Sequence, residues 1–336
     1  MKLLVSKNTN AKYNLAVEEF LTYEYGFSEP ILFIWQNDNS IIIGRNQNTF
    51  AEVNIDEATK DNVVIVRRNT GGGTVFHDLG NICYSYIDFA SNIGIGFKFV
   101  LLPIIEYLNS LGLSAEFAGR NDLQINGKKI SGNAQLRANS KILQHGTLLF
   151  NSEIKKISNY LNVNQEKLKH QKVMSAKHRV TNIDTELKTL GVNLQLEDFK
   201  NGLLDSFYKN NKIQHIEFSK EELKAIELIQ KEKFESEKWT FEKNSTFQIS
   251  ESKYIESVGF VQINFNIENQ IITEIKIYGD FLSTKNLNNL YVRILGKKYD
   301  RQIINEVLNK IDLTAFFGPH ITSNVLLDVL FNNREK

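Results

Sequence analysis

A single cysteine, Cys83, and three prolines stand in a chain of 336 residues. One thiol excludes an intramolecular disulfide and any cysteine-based metal cluster, which agrees with a reducing compartment. The scarce prolines, set beside abundant Asn, Lys and Ile, read as a nucleotide-composition bias and carry no function. Net charge is also missing: 40 Lys and Arg against 39 Asp and Glu leave a formal +1. That gives too little field to bind nucleic acid or a membrane over the whole surface, so any partner must be met through a local patch. No apolar run reaches the roughly 18 residues of a membrane span, and MKLLVSKNTN has neither the apolar core nor the small-residue cleavage site of a signal peptide. The expectation is a cytoplasmic protein with neither nucleic acid nor membrane as partner. Absent too are G-x-S-x-G, H-E-x-x-H and G-x-x-x-x-G-K-[ST], which removes several common hydrolase and kinase readings.

What is present is globular, 42% apolar and 24% charged, in a length about twice that of a usual domain. Spacing predicts helices over residues 12–25 and 97–111, and strands over 31–35, 40–43, 63–67, 74–76, 81–87, 122–126 and 141–150. Strands dominate early and helices gather later, over 196–208 and 220–234, which gives an α+β class with a mixed or mainly antiparallel sheet. From Glu235 the polar stretch SEKWTFEKNSTFQISESK reads as a linker or hinge. Beyond it Val261, Ile263, Phe265 and Ile267 alternate with polar residues, and Ile271, Thr273, Ile275 and Ile277 repeat the alternation. The result is a hairpin turning at 268–270 with two or three helices after it. Two domains are expected, a large one over 1–245 and a small α+β one over 246–336.

The best candidate for a binding loop is RRNTGGGTVFHD, residues 67–78, directly after an apolar strand. Gly71, Gly72 and Gly73 have no Cβ, so successive N–H groups can turn toward an anion, or the three can form a tight turn between strands. Arg68 beside them suits bidentate phosphate contact, the plainer reading being a solvated strand end. His77 and Asp78 suit acid–base chemistry or a polar turn. In GRNDLQINGKKISGNAQ, residues 119–135, alternation sends Lys128 and Lys129 to opposite faces, so one functional lysine is expected. Asp122 is the best carboxylate for magnesium, which takes one or two together with phosphate oxygens, unless it caps a turn. His145 of HGTLLF reads either as a satisfied structural histidine or as a base. Lys167, Lys169, Lys172, Lys177 and Arg179 form a solvated face or a loop that closes over an anionic ligand. Cys83, in a strand with no histidine beside it in sequence, reads as a buried, inert thiol.

Taken in order, RRNTGGGTVFHDLGN, GRNDLQINGKKISGNAQ and HGTLLF resemble the lipoate-protein ligase family. NLAVEEF at 14–20, IIIGRNQN at 41–48 and SAKHRVTNI at 175–183 agree with it, and the match covers about the first 245 residues. The resemblance implies a large mixed-sheet catalytic domain like that of biotin ligases, followed by a small accessory domain. It also implies a two-step reaction, in which lipoate and ATP give lipoyl-AMP and pyrophosphate and an acceptor lysine then attacks the mixed anhydride. ATP with Mg2+ and lipoate would be substrates, with no tightly bound prosthetic group. On the family pattern Lys129 is the catalytic lysine, contacting the α-phosphate and the lipoyl carbonyl. Arg68, Gly73, Thr74, Val75, Phe76 and Asn121 would hold the adenylate, with Lys177 and Arg179 in the loop that covers it. Asn69, Thr70, Gly71, Gly72, His77 and His145 would meet the lipoyl part, and Asp122 the magnesium. The implied partners are apo lipoyl domains of 2-oxoacid dehydrogenase E2 subunits or the glycine-cleavage H protein. The competing readings are an ATP-independent lipoyl or octanoyl transferase using a cysteine, and a silent lipoate-binding homologue.

Overall fold

The computed structural model describes residues 1–93, 96–162, 180–208, 213–241 and 246–331. Its strands are β1 (Lys2–Val5), β2 (Ile31–Trp35), β3 (Ser40–Ile43), β4 (Val64–Arg67), β5 (Val75–His77), β6 (Asn81–Phe89) and β7 (Ala115–Ala118), then β8 (Asp122–Ile125), β9 (Lys128–Ala138), β10 (Lys141–Leu149), β11 (Gln214–His215), β12 (Ile249–Ile255), β13 (Gly259–Glu268) and β14 (Ile271–Gly279). Eight of them form one mixed sheet in the order β11-β1-β2-β6-β10-β9-β8-β7. The pairs β11–β1 and β1–β2 are parallel and the remainder antiparallel.

Side-chain alternation explains why this sheet is covered on both faces. Leu32 and Ile34 of β2 join Ile82, Tyr84 and Tyr86 of β6 in one core, which takes its cover from helices Lys98–Ser110, Ile183–Thr189 and Leu196–Tyr208. Ile31, Phe33 and Trp35 point the other way with Cys83 and Ile87, against helices Ala11–Tyr23 and Lys220–Ile229. A strand apolar at all five positions, ILFIW, is what burial on both faces demands. A second sheet, β4-β3-β5, sits over its own small core of Ile41, Ile43, Val53, Phe76 and Tyr160.

The C-terminal part has a separate core. Val261, Ile263 and Phe265 of β13 face Ile275 and Ile277 of β14 and the helices Asn288–Ile294, Arg301–Leu308, Thr314–Phe317 and Ser323–Leu330. The expected hairpin turns at Asn269 and Gln270, both in the left-handed region at φ 50° and 65°. Such two-residue turns match the right-handed twist of their strands.

The stretch expected to be a linker is largely structured. Helix Glu237–Phe241 and β12 occupy most of it, residues 242–245 lying outside the described residues. The anchor is Arg67, whose buried guanidinium donates to the Trp239 and Thr240 carbonyls at 2.9 Å each, while Trp239 Nε1–H donates to the Arg67 carbonyl at 2.8 Å. A polar composition conceals such an anchor, because the acceptors are backbone carbonyls.

Candidate functional site

The glycine loop, β5 and the inner strands β2, β6, β10 and β9 enclose a cavity of about 150 Å³. Leu15, Trp35, Ile42, Val75 and Cys83 make its apolar part, and Asn121, Lys129, Asn133 and Thr147 its polar part. In the sheet, β2 and β9 are three strand spacings apart, roughly 14 Å. An elongated ligand with an apolar tail and an anionic head fits that separation.

Lys129 marks the polar end. Its Nζ lies 2.8 Å from Asp122 Oδ1 of the neighbouring strand, with both side chains partly exposed. The pairing of β8 with β9 shifts register between Leu123 and Gln124, so Ser131 and Lys129 meet consecutive partners and Ile130 is the extra residue. Such a bulge re-aims the side chain beside it. Gly132 completes the arrangement: a Cβ there would lie 3.1 Å from Lys129 Nζ. Lys128 diverges to Glu186 at 3.3 Å, as alternation requires. The backbone of Lys129 also receives the chain as it returns, Thr181 N–H donating to its carbonyl at 3.0 Å. Lys177 and Arg179 lie outside the described residues.

The glycine loop is held from within. Arg68 is buried and donates to the carbonyls of Gly71 (2.6 Å), Gly73 (2.9 Å) and Ile42 (3.2 Å) and to Thr70 Oγ1 (2.9 Å). Burial pulls its pKa down to about 10, with the Glu18 carboxylate opposing that fall. The guanidinium therefore shapes the loop while also lining the cavity. Thr70 Oγ1 is 2.8 Å from His145 Nε2, and His145 Nδ1 is 2.8 Å from Glu18 Oε1. Glu18 also accepts from Ser85, which accepts from Trp35 Nε1. One buried polar chain thus runs from the base of the cavity to the loop, and His145 is satisfied at both nitrogens.

Of the residues expected in the site, Arg68, Gly72, Gly73, Thr74, Val75, His77, Asn121, Lys129 and His145 line the cavity. Asn69 bonds Glu19, which also pairs with Lys233 at 2.7 Å. Phe76 turns away into the small core and stacks on Tyr160, because it alternates with Val75 and His77 along β5. Gly71 packs against the accessory domain, where a Cβ would lie 2.6 Å from the Phe281 carbonyl, and Gly72 N–H donates to that carbonyl at 3.1 Å. Among the described residues no group of three His, Cys, Asp or Glu is placed to hold a metal by itself.

Cys83 Sγ is 3.5 Å from His77 Nδ1, a contact that sequence separation hid. It is a neutral pair: burial raises the thiol well above its ordinary range and lowers His77 to about 3. Arg68 and His145 add to the His77 shift. Below pH 6.5 the unfolded chain takes up a proton at His77 that the folded protein refuses until about pH 3, so stability falls through that window, by on the order of 5 kcal/mol. In His77→Phe the acid limb of the urea midpoint against pH is expected to be flatter; an unchanged limb contradicts the assignment.

Glu18, Gln47, Ser85 and Asn133 were missed as site-builders. Asn133 accepts from Tyr84 and donates to the Asn121 carbonyl at 2.9 Å, and Gln47 Oε1 accepts from Gly44 N–H and Thr74, both at 2.9 Å. Glu18 and Gln47 lie inside NLAVEEF and IIIGRNQN, two of the strings that carry the family resemblance.

Residues 10–208 match the family model described as "Lipoyl protein ligase A/B catalytic domain", and residues 244–330 match "Bacterial lipoate protein ligase C-terminus". The chain is similar to a probable lipoate-protein ligase A of Mycoplasma pneumoniae, 36% identical over 99% of this chain and 98% of the relative. Among solved structures it is similar to P. falciparum LipL1 in complex with lipoate, with TM-score 0.77 and 29% identity over 93% of this chain and 94% of the other. It is also similar to lipoate-protein ligase A bound with ATP, with TM-score 0.60 and 26% identity over 71% of this chain and 98% of the other.

Proposed function

This chain belongs to the lipoate-protein ligase family and is a lipoate-protein ligase, and from that premise we propose how its own residues divide the work. The carrying observation is one cavity with Lys129 at one end and an apolar, uncharged base of Leu15, Trp35, Ile42 and Cys83 at the other. Lipoate lies along it with the carboxylate at β9 and the ring toward β2. Two anions, a carboxylate and a triphosphate, must approach within bonding distance, and the Lys129 ammonium stabilises the charge that develops as the carboxylate attacks the α-phosphate. Gly73, Thr74 and Val75 line the adenylate, and Arg68 fixes the loop that presents them.

The residues fit a substrate-borne magnesium ion. Asp122 is a single partly exposed carboxylate at the polar end, next to Asn121, and magnesium bound with phosphates needs only one or two protein carboxylates. When bound it supplies positive charge to the phosphate oxygens. Asp122 would then hold the ion, and its bond to Lys129 keeps the ammonium beside the place where the α-phosphate arrives.

The second half-reaction delivers the lipoyl group to a lysine of a lipoyl domain, on an E2 subunit or the H protein. A cytoplasmic location, where ATP and new acceptors are found, belongs to the same proposal. So does a domain division at residue 245, supported by the separate core of the C-terminal part. The test is to offer ATP, lipoate and an apo E2 lipoyl domain or apo H protein and to follow acceptor mass. ATP-dependent modification is expected, and it persists in Cys83→Ala, because a buried neutral thiol is no nucleophile. Modification from an octanoyl thioester without ATP, lost in Cys83→Ala, would point instead to the transferase.

A further inference from the structure

The near neutrality of the whole chain leaves any anionic ligand to a local patch, and one such patch lies outside the lipoyl cavity. A second cleft, of about 160 Å³, opens between the catalytic and accessory domains and shares no lining residue with the first. Its charged lining residues are Arg45, Arg67, Lys238 and Lys276, with no carboxylate among them. Arg45 follows β3, where its N–H donates to the Thr70 carbonyl at 2.8 Å and its own carbonyl accepts from Arg67 at 3.1 Å. Its side chain and that of Lys238 have no hydrogen-bonding or ion-pair partner among the described residues. Lys276 comes from the accessory domain, where alternation along β14 sends Ile275 and Ile277 into the core and Lys276 to the opposite face. Arg67 contributes charge alone, since its N–H groups are taken up by the carbonyls of Gly44, Arg45, Gln47, Trp239 and Thr240 and by Thr49 Oγ1.

We propose that this cleft is a second anion site, which takes inorganic phosphate or pyrophosphate and holds the accessory domain against the glycine loop. Charges of one sign along a low-dielectric cleft focus their field, and a guanidinium grips phosphate oxygens in pairs. The enclosure suits a small ion rather than a protein surface, because Asn46, Leu287 and Tyr291 in its lining are buried. Ligands from both domains make the ion a clamp. Held by Arg45 and Lys238 on one side and Lys276 on the other, it adds to the bonds that already join the domains. Gly279 N–H donates to the Asn46 carbonyl at 2.9 Å, Asn46 Nδ2 to Ser283 Oγ at 2.8 Å, and Gly72 N–H to the Phe281 carbonyl at 3.1 Å. Pyrophosphate is released by the first half-reaction, so the protein itself supplies one candidate ion. The site stands independently of where lipoate lies.

Calorimetric titration of the full-length protein with sodium phosphate and with sodium pyrophosphate, without ATP or lipoate, tests the site. Binding is expected whose affinity falls as added NaCl screens the cations. It persists in Lys129→Ala, which separates it from the place of adenylation, and weakens about tenfold in Arg45→Gln or Lys276→Gln, the size of one charge-assisted hydrogen bond. Tighter binding of pyrophosphate identifies the reaction product as the ligand, and equal affinities identify phosphate in general. Hydrogen exchange on the wild type provides a reading independent of any variant's folding. Exchange at Gly279 N–H slows when the ion is present and stays unchanged in NaCl of equal ionic strength. No binding by the wild type, unaltered exchange at Gly279, or binding that survives Arg45→Gln and Lys276→Gln together overturns the inference. If that double variant binds the ion normally yet lipoylates its acceptor poorly, the cleft belongs to a protein partner instead.

Discussion

Lys129→Ala is expected to lower lipoate-dependent adenylation by about 100- to 1,000-fold while leaving the protein folded. Loss of one charged donor aimed at developing negative charge costs about 3 kcal/mol or more of transition-state stabilisation. The structural cost is small, because the pair with Asp122 is partly exposed at both ends, 37% and 28%, and such pairs contribute about 0–1 kcal/mol. The two consequences are read separately, activity by initial rates and stability by urea unfolding. Lys128→Ala is the internal comparison. It removes an equal charge one residue away, whose partner Glu186 lies on helix Ile183–Thr189, and adenylation is expected to stay near the wild-type rate because Lys128 does not line the cavity. Near-normal turnover in Lys129→Ala, or equal losses in the two variants, would remove Lys129 from the chemistry.

Gly44→Ala is expected to reduce activity by about 100-fold with only a moderate loss of stability. Gly44 lies outside the positive-φ residues, so alanine meets no backbone strain. Its Cβ would, however, sit 1.9 Å from the Gly72 carbonyl oxygen and 3.1 Å from Gln47 Oε1. Backbone cannot swing aside as a side chain can, so the loop must shift by about 1 Å, a displacement that typically costs 100-fold in rate. Overpacking of this kind costs about 1–3 kcal/mol in stability. Gly73→Ala is the complementary probe: its Cβ meets nothing within 4 Å, so the fold should be untouched. Weakened ATP binding in Gly73→Ala with normal stability locates the adenylate beside Gly73. Full activity in Gly44→Ala would show that loop position does not limit the reaction.

Much of this fold was legible because alternation and helical spacing are local. ILFIW reads as a strand from its run of apolar residues, and the alternation of Val261, Ile263 and Phe265 yields its hairpin directly. What stayed hidden depends on distant partners. Helix Glu237–Phe241 is held by Arg67, 172 residues earlier in the chain, through backbone carbonyls that leave no trace in composition. The site was legible in its glycine-bearing loops, where residue type itself dictates what the backbone can do. Arg68 stands beside the loop in sequence, but its bonds run inward to Gly71, Gly73 and Thr70, and only folding shows which way a guanidinium points. Glu18 in NLAVEEF looks like an ordinary helix-surface carboxylate until His145 and Ser85 are brought against it from two other strands.

The most direct test of the central claim is exchange of labelled pyrophosphate into ATP, measured with lipoate present or omitted and with no acceptor protein. Reversible formation of lipoyl-AMP predicts exchange that requires lipoate and collapses in Lys129→Ala. Exchange that ignores lipoate, or no exchange in a wild-type protein that still lipoylates acceptors from an acyl thioester, would contradict it.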